Sequence, residues 1–153
     1  MPNNTADWRP GGSPGFHLNL LSRLLTRFFD RHLADLAINV AYLPVLGALR
    51  GSTPLSQKEL AQIGQIGQPA MAQMLERMLK EGLLIRTSDP TDSRKAQFTL
   101  SERATDQMAS IRSALSEGNS QIFSVLTDDE IEEFMASLKK IEARLKTLLE
   151  AEK

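Results

Sequence analysis

Cysteine is missing from this 153-residue sequence, tryptophan and tyrosine occur once each, and histidine occurs twice. The first absence excludes disulfides, thiolate zinc sites and thiol redox switches. Two histidines argue against a dedicated zinc site and leave only carboxylate-rich sites open. No apolar run approaches the ~18 residues of a membrane span, and no basic-then-apolar signal segment opens the chain. A cytoplasmic protein without membrane contact is therefore expected. Nucleophile–base pairing, a glycine-rich phosphate loop and a metal-ligand cluster are also missing, so neither catalysis nor a cofactor is expected.

What is present is a length that suits one domain, or one small domain with an oligomerisation element, and a hydrophobic fraction of 41%, enough for a core although only 5% is aromatic. The net charge of −1 argues against a generic polyanion binder. Lys and Arg number five against three Asp and Glu in residues 1–50, and six against five in residues 51–100. Residues 101–153 reverse the balance, seven against eleven. A mildly basic front and an acidic tail fit a sequence-specific DNA binder better than a histone-like protein. Ordinary surface variation produces the same figures, so charge alone decides nothing.

The informative stretch is Gln68 to Leu100. Met71, Met74, Leu75, Met78 and Leu79 recur at three- and four-residue spacing and share one helical face. These methionines read as core rather than as an oxidation sensor. Pro69 suits a first helical turn, and Gly82 sits where a helix end needs positive φ. Leu83-Leu84-Ile85 starts an extended run, Asp89-Pro90 and Asp92-Ser93 supply turn chemistry, and Ala96 to Leu100 returns. A helix followed by a hairpin tipped with Asp92, Arg94 and Lys95 is the layout of a winged helix. Such a unit sets its helix in a DNA major groove and its wing against the neighbouring minor groove.

Elsewhere the chain divides as follows. Residues 1–15 bury almost nothing and read as a flexible arm, with Trp8 and Arg9 its only residues with binding potential. From Phe16 to about Ala37 there are no breakers. Leu21, Leu24, Leu25, Phe28, Phe29, His32, Leu33 and Leu36 form a stripe wide enough for two surfaces, its own domain and a dimer partner. Arg23, Arg27 and Arg31 read as a solvated face, and the histidines as packed or solvated. Asn39 is a candidate N-cap for a helix to Arg50. Pro44 then either kinks that helix or delays its start to about Leu43. Ser56-Gln57-Lys58-Glu59 is a capping box opening a helix that ends near Gly64, which makes helix-turn-helix with 68–81.

After the hairpin, Ser101 caps a long helix carrying Met108, Ile111, Leu115, Ile122 and Val125, with Gly118 on the same seam. Thr127-Asp128-Asp129-Glu130 is a second capping box. Ile131, Phe134, Leu138, Ile141, Leu145 and Leu148 then alternate at three and four, a coiled-coil-like seam that needs a partner. The first helix of a second copy is the natural candidate. We expect a mainly α fold with a small two- to three-stranded β wing. The winged helix-turn-helix would span residues 38–100, with a helical dimerisation region from 16–37 and 101–150.

Leu55-Ser56-Gln57-Lys58-Glu59-Leu60-Ala61, Leu75 to Arg86, and above all Asp89-Pro90-Thr91-Asp92-Ser93-Arg94-Lys95 with Leu100-Ser101 resemble the MarR family of bacterial winged-helix regulators. The likeness covers about residues 16 to 150. It implies a homodimer on double-stranded palindromic DNA, acting as a repressor, and in many relatives released by a small aromatic or phenolic acid. Two residues depart from the pattern: Pro44 beside the family's ligand pocket, and Thr105 where relatives commonly have glycine.

For base reading the exposed start of the recognition helix offers Gln68, Ala70, Gln73 and Arg77, which suit adenine, a thymine methyl and guanine. Ser56, Gln57 and Lys58 suit phosphate oxygens near a helix N-terminus. The likeness assigns Arg94 to the minor groove, with Asp92 orienting it and Lys95 on phosphate. Arg86 is a candidate partner for a ligand carboxylate, in a pocket lined by the first, second and fifth helices, or else for a phosphate or an acidic neighbour. The rival reading is a dimeric winged-helix protein-interaction module without sequence-specific DNA binding, since Gln68, Ala70 and Gln73 bring no charge.

Overall fold

Residues 10–151 are described by the computed structural model, and over them the chain is helical apart from one short sheet. A 3-10 turn at Pro10–Gly12 leads into α1, Pro14–His32, which Pro14 opens in its first turn. The arm expected over residues 1–15 thus gives way to helical backbone from residue 10. Trp8 and Arg9 lie outside the described residues.

α1 also stops sooner than its apolar stripe suggests. The chain leaves it after His32, makes a 3-10 turn at Ala34–Leu36, and passes through Ala37 at a φ of 54°. The Asp30 carboxylate accepts the Val40 N–H at 3.0 Å and fastens the returning chain to the helix. The stripe ran on because Leu33 and Ile38 enter the same core without being helical.

Asn39 does act as a cap, accepting from the Ala41 N–H at 2.8 Å, but on a 3-10 turn at Val40–Tyr42. α2 follows at Leu43–Leu49 with Pro44 in its first turn, where the missing N–H breaks no ladder bond. The later start is the alternative that holds for Pro44.

α3, Gln57–Gly64, opens on the expected box. The Ser56 hydroxyl accepts the Glu59 N–H, and the Glu59 carboxylate accepts the Ser56 N–H at 2.8 Å. Gln65 turns the chain at a φ of 51° into α4, Gln68–Lys80. At the far end the Gly82 N–H reaches Leu79 O and the Leu83 N–H reaches Met78 O, a paired closure that requires the left-handed φ of 71° at Gly82. A Cβ there would meet only Arg103 Nη1, at 3.9 Å. Gly82→Ala should therefore cost about 1–2 kcal/mol of backbone strain alone, read as a lower urea midpoint at unchanged slope.

β1, Leu55–Ser56, β2, Leu84–Ser88, and β3, Ala96–Leu100, make an antiparallel sheet in the order β1-β3-β2. Leu84 faces Leu100, Arg86 faces Phe98 and Ser88 faces Ala96. Leu84 and Phe98 are buried, so Arg86 lies on the core-facing side of the hairpin. Ser101 then sews three elements together. Its hydroxyl donates to Gly82 O at 2.8 Å and accepts the Ala104 N–H, and its N–H donates to Leu83 O. Arg103 adds a bond to Glu81 O at 2.9 Å.

α5, Glu102–Phe123, runs unbroken through Gly118, and Thr105 is accommodated as a helical residue whose hydroxyl donates to Ser101 O. α6 spans Asp128–Ala151. Val125, expected on the α5 seam, falls instead in the turn between them and is 83% exposed.

The chain clusters into two compact units that meet at Leu115 and Ser116. In the first, Met71, Met78 and Leu75 of α4 share one core with Leu33, Leu46, Leu49, Leu60, Leu83, Phe98 and Ile111. The methionines are fully inside, as their spacing predicted. In the second, Phe123 and Phe134 pack at 6.3 Å between ring centroids, and Thr127 and Glu130 form the second capping box. No residue of α6 is buried, and Ile141, Leu145, Leu148 and Leu149 are all exposed. No helix of the described residues is long and apolar enough to cross a membrane.

Candidate nucleic-acid interface

The amphipathic spacing of α4 decides its outer face. With Met71, Met74, Leu75 and Met78 inward, Gln68, Ala70, Gln73, Glu76 and Arg77 are left exposed. Beside the helix runs an open groove of about 560 Å³, bounded by the start of α3, one flank of α4 and the inner face of the wing. Leu75 and Phe98 form its floor, and Lys58, Arg86, Arg94 and Lys95 set four cations around it. Short strand pairing brings them together. Ser56 lies opposite Gln97 in β1–β3, so the first turn of α3 stands next to the base of the wing.

The wing tip is a compact hydrogen-bonded loop. The Asp89 carboxylate accepts from the Thr91 N–H at 2.7 Å, from the Thr91 hydroxyl and from Gln97 Nε2. The Thr91 bonds hold its carboxyl below the usual aspartate range. The loop closes by backbone bonds from Asp89 N–H to Lys95 O and from Lys95 N–H to Asp92 O. Asp92 Oδ1 accepts both the Arg94 N–H at 3.1 Å and Arg94 Nε at 3.3 Å. Arg94 keeps 90% of its side chain exposed, so Asp92 aims the guanidinium without burying it.

Across the groove, Gln57 Nε2 donates to Gln68 Oε1 at 2.9 Å, linking the N-termini of α3 and α4. The Ser56 hydrogen bonds hold the Glu59 carboxyl below its ordinary value. A carboxyl lowered on folding stabilises above its unfolded pKa, and that contribution is lost as pH falls through the folded value. Urea unfolding should thus show stability declining through the acid range, with a shallower decline in Glu59→Gln.

Of the residues singled out in the sequence, the groove gathers Ser56, Gln57, Lys58, Gln68, Arg94 and Lys95. Ala70, Gln73 and Arg77 are exposed on α4 but do not line it, and Asp92 stands behind Arg94. Arg77 lies round the helix toward Tyr42, whose hydroxyl donates to Glu81 at 2.9 Å. Burial, then that acceptor, raise the Tyr42 phenol above its usual range. Arg86, considered for a ligand carboxylate, lines this groove and not the cleft between α2 and α5. The alternation of Leu84 and Arg86 on one strand face was the available signal. Glu76 was missed, although Gln68, Ala72 and Glu76 follow one another at i, i+4 and i+8 along the strip that faces the wing.

Residues 38–95 match the sequence model of the MarR family. Solved structures share this chain's fold. A probable transcriptional regulator from Pseudomonas aeruginosa matches with a TM-score of 0.80 at 22% identity, over 87% of this chain and 99% of the other. A mutant MarR from E. coli complexed with operator DNA gives 0.77 at 22%, over 83% and 91%. MepR from S. aureus in a DNA complex gives 0.78 at 21%, over 86% and 98%.

Proposed function

We propose that this chain is a MarR-family DNA-binding transcriptional regulator that works as a homodimer on a palindromic operator, represses the adjoining gene, and is released by a small aromatic or phenolic acid. The observation that carries the DNA reading is the groove, where four cations flank a helix whose outer residues are uncharged at its N-terminal end. In this reading Ser56, Gln57, Lys58, Arg86 and Lys95 hold phosphates, which fixes register. Gln68, Ala70, Gln73 and Arg77 meet base edges, and Arg94, steadied by Asp92, enters the minor groove.

Two features support the remainder. Leu21 and Leu24 on α1 and Leu145, Leu148 and Leu149 on α6 are exposed, and a second copy is the chemistry that covers them. Between α2 and α5 is a cleft of about 160 Å³, floored by Leu46, Met108 and Ile111 and edged by Arg50 and Arg112. Gly47 keeps it open, since a Cβ there would meet nothing within 4 Å. Pro44 in the first turn leaves α2 straight beside it. An aromatic ring fits that floor and its carboxylate fits either guanidinium.

The test is fluorescence anisotropy on fragments flanking the gene, with competitor DNA, at two salt concentrations. Tight, salt-sensitive binding to one palindromic fragment is expected, with weakening by an added aromatic carboxylate. No preference over competitor would overturn it in favour of the protein-interaction module.

A further inference from the structure

Glu76 is the one acid among the residues that line the basic groove, with Lys58, Arg86, Arg94 and Lys95 around it. It is exposed, and the ion pairs of the described residues, Asp92–Arg94 and Glu142–Lys146, do not include it. A carboxylate has no proton to give at neutral pH, so it cannot bond a phosphate, the O6 and N7 of guanine, or the O4 of thymine. It can only accept, and the base edge that offers an isolated donor in the major groove is the N4 amino group of cytosine. Its neighbours on the same strip, Gln68 and Ala72, carry no charge and suit A·T pairs.

We propose that Glu76 is a specificity-determining residue that accepts from a cytosine N4 in each operator half-site. The assignment rests on the chain reading DNA through α4. Guanine or thymine at that position leaves a carboxylate facing acceptors alone, and adenine sets its N7 acceptor beside its N6 donor, so the residue works by rejection as much as by attraction. Lys58 and the wing cations supply non-specific attraction, and Glu76 sets the cost of a wrong sequence.

The experiment is selection of preferred sites from a randomised duplex pool by the full-length wild type, Glu76→Gln and Glu76→Ala, followed by anisotropy on single-substitution duplexes. The wild type should select a fixed C·G pair in each half-site, and replacing it should weaken binding roughly ten- to a hundredfold. Glu76→Ala should bring that ratio close to one and leave other positions unchanged. Glu76→Gln should move the preference toward adenine, because an amide both donates and accepts. If instead both variants bind every sequence more tightly by one factor, with no position relaxed, Glu76 merely tempers the groove's charge and the assignment fails. A wild type that selects no sequence at all overturns the DNA reading together with it. The side chain is exposed, so both variants keep the native unfolding transition.

Discussion

Arg94→Ala should weaken operator binding by about 1–3 kcal/mol, roughly ten- to a hundredfold, while leaving the unfolding temperature unchanged. The fold does not need the side chain, which is 90% exposed and, among the described residues, bonded to its near neighbour Asp92. Its value lies in being held ready. The Asp92 carboxylate accepts both the backbone N–H and Nε of Arg94, so little rotamer freedom is left to lose on entering a minor groove. Asp92→Ala should therefore cost less than Arg94→Ala yet lie in the same direction. Lys95→Ala should behave differently, lowering affinity evenly across sequences and reducing the salt slope by about one. Anisotropy titrations across a salt series separate the three variants. Equal affinity for wild type and Arg94→Ala would remove the wing from the interface.

Leu145→Asp should convert the proposed dimer to monomer at micromolar concentration, seen by sedimentation velocity. Leu145 is 53% exposed and sits on a stripe with Ile141, Leu148 and Leu149, none of them covered by the chain's own core. Burying one leucine contributes about 1.5–3 kcal/mol, and an unpaired carboxylate in its place adds a desolvation cost on top. Two half-sites gripped by linked heads gain about a hundred- to ten-thousandfold over one, so operator affinity should fall on that scale with the dimer. The first compact unit should keep its native unfolding signature, because Leu145 lies outside its core. A wild type that sediments as a monomer would refute the dimer directly.

The parts of this fold that could be read in advance are those fixed by neighbours in sequence. Ser56 with Glu59 and Thr127 with Glu130 are four-residue devices, and Gly82 marks its helix end by conformation alone. The end of α1 was not legible, because it depends on Asp30 reaching Val40 ten residues away and on an alanine at positive φ. β1 is two residues long, too short for any periodicity, and exists only because β3 pairs with it. The same holds at the site. Arg94 announced itself through its motif, whereas Glu76 and Arg86 became partners of one groove only once strand register turned Arg86 toward α4.

The bonds at Ser101 have a mechanical corollary. Gly82 O, Leu83 O and the first turn of α5 all meet at that one side chain and its N–H, and Arg103 clasps Glu81 beside them. The join between α4 and the wing is thus closed off as a hinge, and the two travel together like the jaw of a calliper. A molecule lodged between α2 and α5 cannot then blunt the wing and spare the helix. In the proposed dimer it can change the gap between two such jaws, so inserting or deleting base pairs between half-sites should mimic the proposed effector.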